Sequence, residues 1–133
     1  FIESSQTKRE LVCKKKFIYD KDKLSNKRVI IVDDTIVRGN VIKHIITALK
    51  ECNVKEIHIR IPSPPIKNVC YFGIDIPTRT ELLANNKSTD EIKNILNVNS
   101  LQYLTVENLN TIISPSSCKG CFMGNYPQGL LEW

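Results

Sequence analysis

The chain has 133 residues, a formal net charge of +5 and 41% hydrophobic residues, the size and balance of one globular domain. That balance excludes disordered and fibrous classes, and the lack of any run of about 18 apolar residues excludes a helical membrane span. The excess of Lys and Arg over Asp and Glu, 19 against 14, suits phosphate-bearing ligands. Its one dense run, Lys14-Lys15-Lys16, has no interleaved aromatic residues. It therefore reads as a solvated surface, and nucleic-acid binding is not expected. Phe1-Ile2-Glu3-Ser4 is not a signal peptide, and the only methionine is Met123, so the sequence reads as a piece lacking its N-terminal part. Five cysteines without secretory features predict a reducing cytoplasm, with free or metal-bound thiols.

Residues 1–27 are polar and lysine-rich around Phe17-Ile18-Tyr19, which predicts a loop or a weak strand pair. Arg28-Val29-Ile30-Ile31-Val32-Asp33 is short, β-branched and apolar up to its acidic end, the pattern of a buried parallel strand. Ile42, Ile45, Ile46 and Leu49 then recur at helical spacing and predict a helix over 41–53, with Cys52 as a small core residue. Glu56 to Ile61 alternates strictly and predicts a second strand. Strand, helix, strand makes a βαβ unit, so the class is α/β with a parallel sheet. Beyond Ser63-Pro64-Pro65 the pattern weakens: an extended stretch over 69–76, a short helix over 78–85, a helix opened by Ser88-Thr89-Asp90-Glu91 as a capping box, and another after Thr105. From Ser114 onward Pro, Ser, Gly and Cys predict a loop-built tail.

The segment richest in chemistry is Val32-Asp33-Asp34-Thr35-Ile36-Val37-Arg38-Gly39-Asn40. Open α/β sheets bind ligands outside the carboxyl ends of their strands, and this segment follows such an end. Asp33 and Asp34 together can accept hydrogen bonds from vicinal hydroxyls and hold a hydrated Mg²⁺. The following helix N-terminus favours an anion, Thr35 and Asn40 can donate, and Gly39 permits close backbone approach. Diol, metal and phosphate recognition together point to a ribose phosphate. Two alternatives stay open from the residues: a Walker B strand of a Mg-dependent nucleotide hydrolase module using Asp33, and a response-regulator-like acidic pocket. Neither accounts for Arg38-Gly39 directly before the helix.

Val32 to Asn40 resembles the phosphoribosyl-pyrophosphate loop of type I phosphoribosyltransferases, in the version found in the amidophosphoribosyltransferases. So do Phe1-Ile2 with Ser5-Gln6, Val54 to Arg60, Ser63-Pro64-Pro65-Ile66, Tyr71 to Thr78, Glu81-Leu82-Leu83-Ala84, Gly124-Asn125-Tyr126-Pro127 and Leu131-Glu132-Trp133. The resemblance implies a partial type I phosphoribosyltransferase fold. Residues 1–66 would be its core, with a flexible loop at 3–16 and the phosphoribosyl-pyrophosphate loop at 33–41. Residues 67–133 would be a helical extension with a cysteine-containing tail, and an N-terminal glutaminase domain would be missing. It also implies the reaction: ammonia from glutamine attacks phosphoribosyl pyrophosphate to give phosphoribosylamine, glutamate and pyrophosphate. Asp33 and Asp34 would engage the ribose hydroxyls and Mg²⁺, and Thr35, Ile36, Val37, Arg38, Gly39 and Asn40 would wrap the 5′-phosphate. No general base is assigned. Arg38 serves either a phosphate or a structural ion pair. Val41 stands where the family usually has Thr. A homo-oligomer inhibited by purine nucleotides is implied, and a non-catalytic nucleotide-binding regulator of the same fold is the alternative.

Cys118-Lys119-Gly120-Cys121 is a C-x-x-C pair, open by itself between zinc, an iron–sulfur cluster, a redox pair and coincidence. No helical pattern follows Cys121, which argues against a thioredoxin-type pair. The family resemblance implies a structural 4Fe-4S cluster held by Cys70, Cys118 and Cys121, with a fourth cysteine upstream of Phe1.

Overall fold

The computed structural model describes residues 17–73 and 78–127. Three parallel strands, β1 (Arg28–Val32), β2 (Glu56–Ile61) and β3 (Ser100–Tyr103), form a sheet in the order β1-β2-β3. Val29 pairs with Ile57 and Ile31 with Ile59, and Ile59 and Ile61 pair in turn with Leu101 and Tyr103. That register places one apolar row across the sheet. It packs against Ile42, Ile46 and Leu49 of α2 (Asn40–Glu51) and Ile92 and Leu96 of α3 (Thr89–Leu96) in a single cluster. Ile59 and Ile92 are fully buried at its centre; truncating a residue so placed costs about 2–5 kcal/mol. The βαβ unit and the parallel α/β class are as the sequence predicts.

The sequence reading is corrected at several places. The first strand ends at Val32, one residue short of Asp33. It is not buried on both faces: Ile30 is 62% and Val32 71% exposed. β1 is an edge strand among the described residues, and its second face carries no described helix. α2 starts at Asn40 behind a left-handed Gly39 and is closed by Asn53 at φ 55°. A four-residue helix, α1 (Lys21–Leu24), stands where a loop or strand pair was expected, capped by Asp20. The expected helix over 78–85 shrinks to one 3-10 turn, Arg79–Glu81.

β3 lies in a stretch read as a connection between two helices. At four residues it is too short for alternation to stand out, and pairing with β2 forms it instead. The capping box at the start of α3 is present, with Ser88 Oγ accepting from Glu91 N and Glu91 accepting from Ser88 N–H. Thr105 caps α4 (Val106–Asn110). Gly120–Met123 form a short helix, α5, where a pure loop was expected. The predicted flexible loop at 3–16, part of the extended stretch at 69–76, and Leu131-Glu132-Trp133 lie outside the described residues.

Candidate functional site

β1 runs out at Val32, and the amide of Asp33 makes a last bond to the sheet, donating to Arg60 O at 3.4 Å. Strand and helix thus fix the two ends of a seven-residue loop, 33–39, at the carboxyl edge of the sheet. Its first half is held by its own acids: Asp34 N donates to Asp33 Oδ1 at 3.1 Å and Thr35 N to Asp34 Oδ1 at 2.8 Å. Short side chains bonding the next backbone amides are what Asp does best in turns. Asp34 is exposed, Asp33 and Thr35 are half-buried, and Ile36 is 3% exposed, anchoring the loop in the core.

The second half is held from outside. Leu83 N donates to Val37 O at 2.8 Å, and Val37 packs with Ile66 and Leu82. Arg38 Nε donates to Glu81 Oε2 at 2.9 Å. Gly39 has φ 81°, and a Cβ there would stand 2.9 Å from Leu83 Cδ2. Only glycine meets both demands without strain. The 79–84 segment therefore clamps the loop, and Glu81 and Leu83 are loop-holding positions to which the sequence reading gave no role. Their partners lie more than 40 residues away in the chain, and no local pattern carries such a signal.

The loop ends where α2 begins. No side chain caps α2, and its first turn holds no acid. Of the other helices, α1, α3 and α4 are capped by Asp20, Ser88 and Thr105, while the four-residue α5 also lacks a side-chain cap. A twelve-residue helix whose start no side chain caps, behind a positive-φ glycine, has a geometry that can receive an anion. The eight residues Asp33 to Asn40 are thus brought into one continuous turn.

No family model matches the chain. It is 43% identical over 130 residues to amidophosphoribosyltransferase 2, chloroplastic, of Arabidopsis thaliana, and 49% identical over 109 residues to the human amidophosphoribosyltransferase. Those alignments cover 96% and 82% of this chain. A solved glutamine phosphoribosylpyrophosphate amidotransferase from B. subtilis, complexed with ADP and GMP, superposes over 96% of the chain with a TM-score of 0.71 and 36% identity. The chain is homologous, over nearly its whole length, to one part of the amidophosphoribosyltransferases. It spans about a quarter of the length of these relatives: 23% of the Arabidopsis protein, 21% of the human one and 30% of the bacterial structure. The sheet and its flanking helices match the type I phosphoribosyltransferase fold of the bacterial amidotransferase. No helix among the described residues is long and apolar enough to cross a membrane.

The cysteine segment expected to hold a cluster in this family folds back on the core. Lys67 N and Asn68 N both donate to Cys121 O at 2.9 Å, and Tyr126 Oη donates to Val69 O at 2.6 Å. Cys70 and Cys121 flank the small cluster of Ile66 and Leu82. Burial pushes the Cys121 thiol above its usual range, and the nearby Cys70 and Cys118 add to the rise. Phe72 N–H donates to Cys70 Sγ at 3.4 Å and Gly120 N–H to Cys118 Sγ at 3.5 Å. The three thiols feel one another's charge, and those of Cys70 and Cys118 accept N–H···S bonds. Even so, no group of three His, Cys, Asp or Glu among the described residues stands close enough to hold a metal ion.

Proposed function

We propose that the chain supplies the phosphoribosyl-pyrophosphate site of an amidophosphoribosyltransferase, an enzyme of purine biosynthesis that transfers ammonia to C1 of phosphoribosyl pyrophosphate. The observation that carries this reading is the uncapped start of α2 directly behind two acids at the end of a parallel strand. The backbone amides of Thr35 to Asn40 bind the 5′-phosphate, with the dipole of α2 behind them. Asp33 and Asp34 turn from their own loop amides to the ribose hydroxyls. They are also the residues to hold Mg²⁺, which when bound neutralises charge on the departing pyrophosphate.

Ammonia forms the new C–N bond at C1 as the C–O bond to pyrophosphate breaks, through an oxocarbenium-like transition state. Fixed negative charge from Asp33 and Asp34 and exclusion of water serve such a cation better than one strong base. Arg38 is held by Glu81, so its structural role is favoured over phosphate contact. Ammonia made from glutamine by a separate domain of the longer protein, a homo-oligomeric assembly, purine nucleotide inhibitors and a cytoplasmic location complete the proposal. The ADP and GMP in the bacterial relative support the nucleotide part.

Calorimetric titration of the chain with phosphoribosyl pyrophosphate and magnesium tests the reading. Asp33→Asn with Asp34→Asn is expected to weaken binding by at least ~10-fold, since each lost charge-assisted bond is worth about 1.5–3 kcal/mol. Equal affinity in the double variant refutes it. Binding of ATP with magnesium, indifferent to phosphoribosyl pyrophosphate, would favour the hydrolase reading instead.

The 4Fe-4S cluster remains part of the proposal as a structural group on Cys70, Cys118 and Cys121 with a fourth thiolate from outside this chain. The hydrogen bonds to Cys70 and Cys118 sulfur support it. Anaerobic reconstitution of the full-length protein should load about four irons per chain, and an iron-free folded product would remove the cluster from the account.

A further inference from the structure

Away from the loop at 33–40, a cavity of about 560 Å³ is lined by Lys67, Asn68, Arg79, Lys87, Ser88 and Phe122, among others. Three cations meet there, and no carboxylate forms an ion pair with any of them among the described residues. The hydrogen bonds from Ser88, and with them the charge of Lys87, hold the Glu91 carboxyl below its usual range. Its Oε2 is already engaged by the N–H and Oγ of Ser88. Asn68 lines the same cavity and is only 8% exposed. Its Oδ1 accepts from Arg79 Nη2 at 2.5 Å, which orients the amide and leaves Nδ2 without an acceptor among the described residues.

A side-chain amide with an open donor, beside cations that no carboxylate pairs, in a cavity of ligand size, is the chemistry of an anion pocket. We propose that this cavity binds a phosphoryl anion at a second site, distinct from the loop at 33–40 and independent of what that loop binds. Lys67 and Lys87 supply point charges, and the Arg79 guanidinium, fixed by Asn68, supplies a planar fork. Asn68 Nδ2 and the Ser88 hydroxyl add neutral donors. Phe122 forms an apolar wall against which the rest of a phosphorylated molecule can rest.

Titration of the ¹⁵N-labelled chain with inorganic phosphate and with pyrophosphate, followed by NMR, tests this. The side-chain amide of Asn68 and the backbone amides of Lys87 and Ser88 should shift saturably. Lys67→Gln with Lys87→Gln should weaken that response by at least ~10-fold while leaving any response of 35–40 unchanged. No saturable shift at Asn68, or an equal one in the double variant, overturns the second site. Shifts confined to 35–40 would do so while leaving the loop reading intact. Citrate saturating the same resonances as tightly as pyrophosphate would overturn the phosphoryl assignment.

Discussion

Val41 stands where the family resemblance leads one to expect Thr, a difference that chemistry can weigh. It is the second residue of α2, where a hydroxyl would join the amides offered to a phosphate. A neutral hydrogen bond is worth about 1 kcal/mol, so Val41→Thr should tighten phosphoribosyl-pyrophosphate binding by about 5-fold, read as a dissociation constant. Unchanged or weaker affinity would show that the first turn of α2 does not face the phosphate. Gly39 is the complementary case, since its positive φ and the side chain of Leu83 both forbid a Cβ.

The 79–84 segment sets the shape of the loop from a distance. Glu81 holds Arg38, and Leu83 N–H holds Val37 O. The Arg38–Glu81 pair is half-exposed on the Glu81 side, and such pairs contribute about 0–1 kcal/mol to stability. Glu81→Gln should therefore leave the unfolding free energy within ~1 kcal/mol yet weaken phosphoribosyl-pyrophosphate binding by about 3-fold, because Arg38 would no longer fix the turn. A loss of stability without loss of affinity would mark the pair as mere packing.

This clamp also marks the limit of what the chain reveals before folding. The loop residues were legible because strand end, acids, glycine and helix start follow one another in nine positions. Strands β1 and β2 and helices α2 and α3 were legible from period and capping. Glu81 and Leu83 were not, because their meaning comes from contacts made across the fold. β3 was missed for the same reason: Leu101 is buried by pairing with Ile59, not by any pattern of its own.

At the scale of the whole molecule, the described sheet is covered on one face only. Ile30 and Val32 stand exposed on the other, beside His58 and Arg60, on a strand that is an edge of the three-stranded sheet. An exposed apolar edge invites association. The relatives are three to five times longer than this chain, and the isolated chain should self-associate as its concentration rises. Ile30→Thr with Val32→Thr keeps β-branched side chains and should lessen that self-association while changing stability by about 0.5 kcal/mol at most. Sedimentation and chemical unfolding check both. A wild-type chain that stays monomeric at high concentration contradicts the expectation.

The central claim is that the turn from β1 into α2 grips an activated ribose phosphate. A crystal structure of the chain with phosphoribosyl pyrophosphate and magnesium tests it most directly. The account predicts the 5′-phosphate on the amides of Thr35 to Asn40 and the ribose hydroxyls on Asp33 and Asp34. A saturating soak that leaves residues 33–40 without ligand, or seats the sugar elsewhere, would contradict it.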